Sequence, residues 1–173
     1  MPSRVDYRAI AMTASGVASL TPDGLGAYLH PLGSRTTSDV DRIWELQVDG
    51  QPTGPMELIL SGRTLTVPQA SETARAARFS FDELCNQPLG PEDYMRLSKA
   101  FGTIFVEDVP RLTLSHSSEL RRLITLIDAF YDAHVILVLS ADAPMETLFV
   151  AVGADAHTDV FADVIGSSLV QQS

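Results

Sequence analysis

Two short runs, residues 103–106 (TIFV) and 135–139 (VILVL), constrain this chain more than any other feature. Both are rich in β-branched residues and apolar at successive positions, the pattern of a strand covered on both faces in a parallel sheet. Between them, residues 117–132 place Leu120, Leu123, Ile124, Ile127 and Phe130 at helical spacing. Glu119, Arg121, Arg122 and Asp128 fall largely outside that stripe. A parallel return needs a crossover of about a dozen residues or more, and this segment supplies one, expected to be right-handed. The spacing predicts a βαβ unit, and with it an α/β core.

Upstream of that unit the punctuation changes. Residues 5–13 (VDYRAIAMT) alternate as a strand does, whereas 16–33 are rich in Gly and Pro without a period and read as a loop, with one helical turn around 25–29. Thr36, Thr37 or Ser38 can cap a helix running to about Gln47, with Val40, Ile43, Trp44 and Gln47 on one face and Gly50 near its end. Residues 56–60 and 64–67 flank Ser61-Gly62-Arg63, a hairpin signal, and 76–81 add a third strand, giving a small antiparallel β segment. After one helical turn at 82–85, Gly90-Pro91-Glu92-Asp93 starts a helix, with Pro at the first position and acids facing the positive end of the dipole. Tyr94, Leu97, Ser98 and Phe101 share a side of it, and Gly102 stops it. The reading divides the chain into a β-rich segment with one helix at 1–78, half of an α/β core at 79–150, and a poorly ordered tail at 151–173.

Charge narrows the function classes. A net charge of −10, with only 12 Lys and Arg, argues against a nucleic-acid surface, which needs clustered cations to neutralise phosphates. The single cysteine, Cys85, excludes an internal disulfide and a cysteine zinc cluster. No run approaches the 18 or so apolar residues of a membrane span, and Met1–Asp6 is not followed by the apolar core of a signal peptide. A cytoplasmic protein without an integral membrane segment is expected.

The ordered string Phe79-x-Phe81-x-x-Leu84-Cys85, Pro88-Leu89-Gly90, Asp93-Tyr94, Val109-Pro110, Arg122, Leu126-Ile127-Asp128, Tyr131-Asp132 and Ser140-Ala141 resembles the C-terminal half of the ZapE/LACE-type AAA+ ATPases. Nearer the N-terminus the likeness rests on Asp6-Tyr7-Arg8 and Tyr28-x-His30-Pro31-Leu32-Gly33. The resemblance implies an incomplete P-loop-ATPase-like parallel sheet with flanking helices. The family's activity is ATP hydrolysis, with magnesium, coupled to remodelling of protein partners; bacterial members associate with the division ring. Partners implied are division-ring components such as FtsZ, or full-length family subunits, in an oligomer. The strand signal close to Met1 implies a chain shortened at its N-terminus, and no ATP or Mg is expected on this chain alone.

That expectation rests on a missing motif. No G-x-x-x-x-G-K-[ST] occurs, and the Gly-rich segment 16–33 contains no lysine. Val106-Glu107-Asp108, ending a buried strand, imitates the carboxylate pair that holds magnesium in phosphoryl transfer; the alternative is a solvated strand end. Ser140, ending the next strand, sits where a nucleotide sensor would, or caps a loop. Arg122, with Arg121 beside it, matches the family arginine before Phe-Ile (here Leu123-Ile124). It can stabilise transition-state charge at a neighbouring subunit or belong to a solvated helix face. Glu107, Asp108 and Arg122 are therefore the candidate catalytic residues. The family's F-x-R-x-x-S-R-L-x-E-M ending has no arginine here, where residues 161–173 read FADVIGSSLVQQS. The four histidines are scattered and no G-x-S-x-G elbow occurs, so neither metal nor serine chemistry is indicated. A catalytically silent protein-interaction module is the alternative to an ATPase portion.

Overall fold

The computed structural model describes residues 17–18 and 26–150, so the strand read at 5–13 and the tail at 151–173 lie outside the described residues. In chain order the elements are β1 (Val17–Ala18), β2 (Ala27–Leu29), α1 (Ser34–Val48), β3 (Gly54–Leu60), β4 (Arg63–Ser71), β5 (Ala76–Ser80), α2 (Phe81–Cys85), α3 (Pro91–Ala100), β6 (Thr103–Val109), β7 (Leu112–Thr113), α4 (Ser117–Asp132), β8 (Ile136–Ala141) and β9 (Phe149–Val150). Short 3₁₀ turns occupy Leu114–His116 and Met145–Thr147.

The two apolar runs are interior, adjacent and parallel: β6 pairs with β8, Ile104 opposite Leu137 and Val106 opposite Leu139. They belong to a seven-stranded sheet in the order β1-β2-β8-β6-β5-β4-β3. Its centre, β2-β8-β6-β5, is parallel, and both flanks are antiparallel. The hairpin read at 56–67 is therefore not a separate sheet. β5 pairs parallel to β6 on one side and antiparallel to β4 on the other, so residues 78 and 79 both lie in a strand that joins the two regions. β7 and β9 form a separate two-stranded parallel pair.

Alternation along the central strands assigns the two faces. Phe105, Val138, Ala27, Leu29 and Ala76 point to one side, where α1 lays Val40, Ile43, Trp44 and Val48 over them. Trp44 meets Phe105 edge to face, ring centroids 5.3 Å apart. Ile104, Val106, Leu137, Leu139 and Phe79 point to the other side, into a larger core closed by α2, α3 and α4. There Tyr94 of α3 and Phe130 of α4 also meet edge to face. A sheet covered on both faces explains why its middle strands carry no polar alternation.

Three sequence expectations are corrected. The helical turn around 25–29 is instead β2, whose Ala27, Tyr28 and Leu29 are buried beside β8; three residues are too few for any periodicity to show. On α1 the buried face closes with Val48 where Gln47 was expected, because the helix continues one residue further to a left-handed Asp49. On α4 the stripe is centred on Leu123, Leu126, Ile127 and Phe130, with Leu120 and Ile124 only partly buried at its edge.

Candidate functional site

Strand ends carry two of the three residues singled out. The Glu107 carboxylate, near the end of β6, accepts both Arg78 Nε at 2.8 Å and Arg78 Nη2 at 2.6 Å. Arg78 sits in the adjoining strand β5 and reaches Glu107 diagonally, in the register that pairs Arg78 with Phe105 and Ser80 with Glu107. Its Nη2 also donates to Asp41 Oδ1 of α1 at 2.9 Å, and its guanidinium stacks 5.6 Å from the Trp44 ring centroid. Burial works against the Arg78 charge, but the hydrogen bonds and charges of Glu107 and Asp41 outweigh it and hold the guanidinium above its ordinary range. This arrangement pins α1 to the sheet.

Asp108 does not stand beside Glu107. The register between β6 and β8 shifts between Val106 and Val109, and Asp108 takes a left-handed φ of 63° with an exposed side chain. Its backbone N–H donates to Ser140 Oγ at 2.9 Å, which gives buried Ser140 a structural partner at the strand end. With both Glu107 oxygens engaged by Arg78 and Asp108 turned away by the bulge, this acid pair does not fit a magnesium site. Among the described residues no group of three His, Cys, Asp or Glu side chains could hold a metal ion.

Arg122 lies elsewhere, on α4, which covers the sheet face opposite to the one that α1 covers. Its Nη1 donates to Cys85 O at 3.0 Å, and Tyr94 Oη donates to Leu84 O at 2.7 Å, so two carbonyls that α2 leaves unpaired at its end are satisfied by neighbouring helices. Burial pushes the Cys85 thiol and the Tyr94 phenol up. The rest of Arg122 lines a cleft of about 550 Å³ with Ser61 and Arg63 from the β3–β4 turn and the 88–93 segment that opens α3. In that cleft Asp93 Oδ2 accepts the Gly90 N–H at 2.9 Å and faces Arg63 Nη2 at 3.5 Å, while Arg63 Nη1 donates to Pro88 O. Arg121 is exposed on the other flank of α4.

Thus Glu107 and Asp108 are neighbours in sequence with separate roles, and Arg122 is far from both along the fold. Arg78 and Arg63 escaped the sequence reading. The available signal for Arg78 was a lone cation inside an apolar strand, AARFS, beside a strand ending in an acid. Arg63 looked like part of a turn, and nothing local announced its partner.

A family model described as AFG1-like ATPase matches residues 2–158. The chain belongs to the AFG1-like ATPase family. Relatives include the lactation elevated protein 1 homolog B of Danio rerio, 38% identical over 66% of this chain and 23% of that protein. The cell division protein ZapE of Escherichia coli is 32% identical over 84% of this chain and 36% of its own length. An uncharacterized protein of Schizosaccharomyces pombe is 32% identical over 70% of this chain and 27% of its own. The chain thus matches about a quarter to a third of the length of these family members. No solved structure matches. No helix among the described residues is long and apolar enough to cross a membrane.

Proposed function

We propose that this chain is the C-terminal α/β portion of an AFG1-like ATPase, working in the cytoplasm as a protein-binding module while ATP binding and hydrolysis reside in the part of the family's length that it does not match. The observation that carries this reading is the engagement of both Glu107 oxygens by Arg78, in a chain with no G-x-x-x-x-G-K-[ST] motif. Without a phosphate cradle and its lysine, and with the strand-end acid neutralised, too few charge-assisted contacts remain to hold a triphosphate and its magnesium. By likeness to ZapE, its partners are division-ring proteins such as FtsZ, together with full-length family subunits, and its working state is an oligomer.

Calorimetry on the purified chain tests the reading: ATP with magnesium is expected to give no binding heat at tens of micromolar protein. A dissociation constant in the low micromolar range overturns it, and Arg122 is then the first residue to examine. A second reading, an interaction module acting independently of any ATPase subunit, is favoured by the parallel centre being covered on both faces. Co-expression separates the two, since only the first requires that a full-length family member capture the chain.

A further inference from the structure

The Arg63–Arg122 cleft has a charge arrangement that the pinning of helices does not use up. Arg63 is engaged by Asp93 and by the Pro88 carbonyl, and Asp93, only 4% exposed, is engaged by Arg63 and the Gly90 N–H. Arg122 uses one of its five N–H donors on the Cys85 carbonyl and has no ion-pair partner among the described residues. Across the cleft, exposed Glu92 is met among the described residues only by the Ser61 hydroxyl, at 3.4 Å. One wall therefore offers an uncommitted guanidinium edge and the other an almost uncommitted carboxylate. The intervening floor, Pro88, Leu89 and Pro91, is largely apolar and stiffened by two prolines.

We infer that this cleft binds an extended peptide segment carrying an acidic side chain next to a basic one, the carboxylate on Arg122 and the basic group on Glu92. The inference rests on the protein-binding reading above and names the chemistry of what is bound. A planar guanidinium fork matches a carboxylate in two parallel hydrogen bonds. The same geometry would accept a phosphate, but the two arginines and two acids of the cleft cancel, and a triphosphate would bring several negative charges against Glu92 and Asp93. A ligand with paired opposite charges meets no such penalty. The chain's net charge of −10 likewise gives no long-range attraction for a purely anionic partner. A volume of about 550 Å³ holds two or three residues of an extended chain.

The test is an NMR titration of the full chain with the blocked peptide Ala-Glu-Lys-Ala, its Ala-Gln-Lys-Ala counterpart, and inorganic triphosphate. Saturable shifts at the Leu89, Gly90 and Glu92 amides and at Arg122 Nε are expected with the first peptide. The Gln peptide should bind at least about tenfold more weakly, and triphosphate should leave these signals in place. Arg122→Lys keeps the charge and loses the fork, so it should also weaken binding about tenfold. Glu92→Gln, on an exposed side chain that the fold does not need, should reduce the preference for Lys over norleucine at the peptide's third position. Equal shifts with both peptides, no saturable shift with either, or tighter binding of triphosphate overturns the inference. The ATP calorimetry is read separately: peptide failure with no ATP heat sinks only this inference, whereas ATP heat sinks the reading beneath it.

Discussion

At the scale of single residues, Arg78 and Cys85 show how position rather than type decides what a side chain does. Arg78 holds Glu107 by two short bonds while both side chains are mostly buried, so removing the cation leaves a mostly buried carboxylate without its partner. Arg78→Ala is expected to cost about 2–4 kcal/mol in urea unfolding, and Arg78→Lys to recover only part of that, because an ammonium cannot span both oxygens. A cost below about 0.5 kcal/mol would show that the ion pair is solvent-relaxed in solution. Burial raises the Cys85 thiol and the Tyr28 and Tyr94 phenols, so the folded chain favours their protonated forms. That stability is complete below the ordinary values of 9.0 for the thiol and 10.0 for the phenols, and is lost as pH rises beyond them. The urea midpoint should hold steady near neutrality and fall above about pH 9, and the thiol should react with a disulfide reagent only as fast as the chain unfolds. A midpoint indifferent to alkali, or an immediate thiol reaction at neutral pH, would contradict this burial.

Helix α4 is the element on which the two-faced sheet depends for its larger core. Leu123, Leu126, Ile127 and Phe130 are its buried residues, so a carboxylate at Ile127 would enter the core without a partner. That penalty, several kcal/mol, is comparable with the whole stability of a domain, and Ile127→Asp is expected to abolish the cooperative melt seen by circular dichroism. Ile124 lies at the edge of the stripe, and Ile124→Asp should lower the melting point yet leave a transition. Exposed Arg121→Ala should stay within about 0.5 kcal/mol of the parent. The reverse order of damage would mean that α4 is rotated about its axis. The helix's amphipathic spacing identified it in the sequence; its exact centre, displaced toward Leu126, depends on the direction from which α2 and α3 approach.

At the scale of the whole molecule, one edge of the described sheet is β3. β3 closes the sheet with no neighbour on its outer side among the described residues, and Ile59 on it is 76% exposed. An unpaired edge with an outward apolar side chain favours strand-to-strand association, although Glu57 at its middle resists pairing with a second copy of itself. The chain is expected to elute as a dimer or larger species at tens of micromolar, and Ile59→Lys to shift it toward monomer while the melting point stays put. A sharp monomer by light scattering for the parent chain would show that the edge is adequately protected by Pro55 and Glu57 alone.

What the sequence determined by itself was whatever depends on local spacing: the parallel pair of apolar strands, the amphipathic crossover, the Gly90–Asp93 helix start and the turn at Ser61-Gly62. The family was legible in the same way, because ordered short motifs over some sixty residues survive without any knowledge of contacts. The tertiary structure alone decided that β2 is a strand, since three residues acquire that conformation by docking on β8, and that the hairpin continues the parallel sheet through β5. It also separated Glu107 from Asp108. Two adjacent acids look like a pair on paper, but a bulge turns one outward and an arginine twenty-nine positions earlier holds the other, and a partner at that distance along the chain leaves no periodic trace.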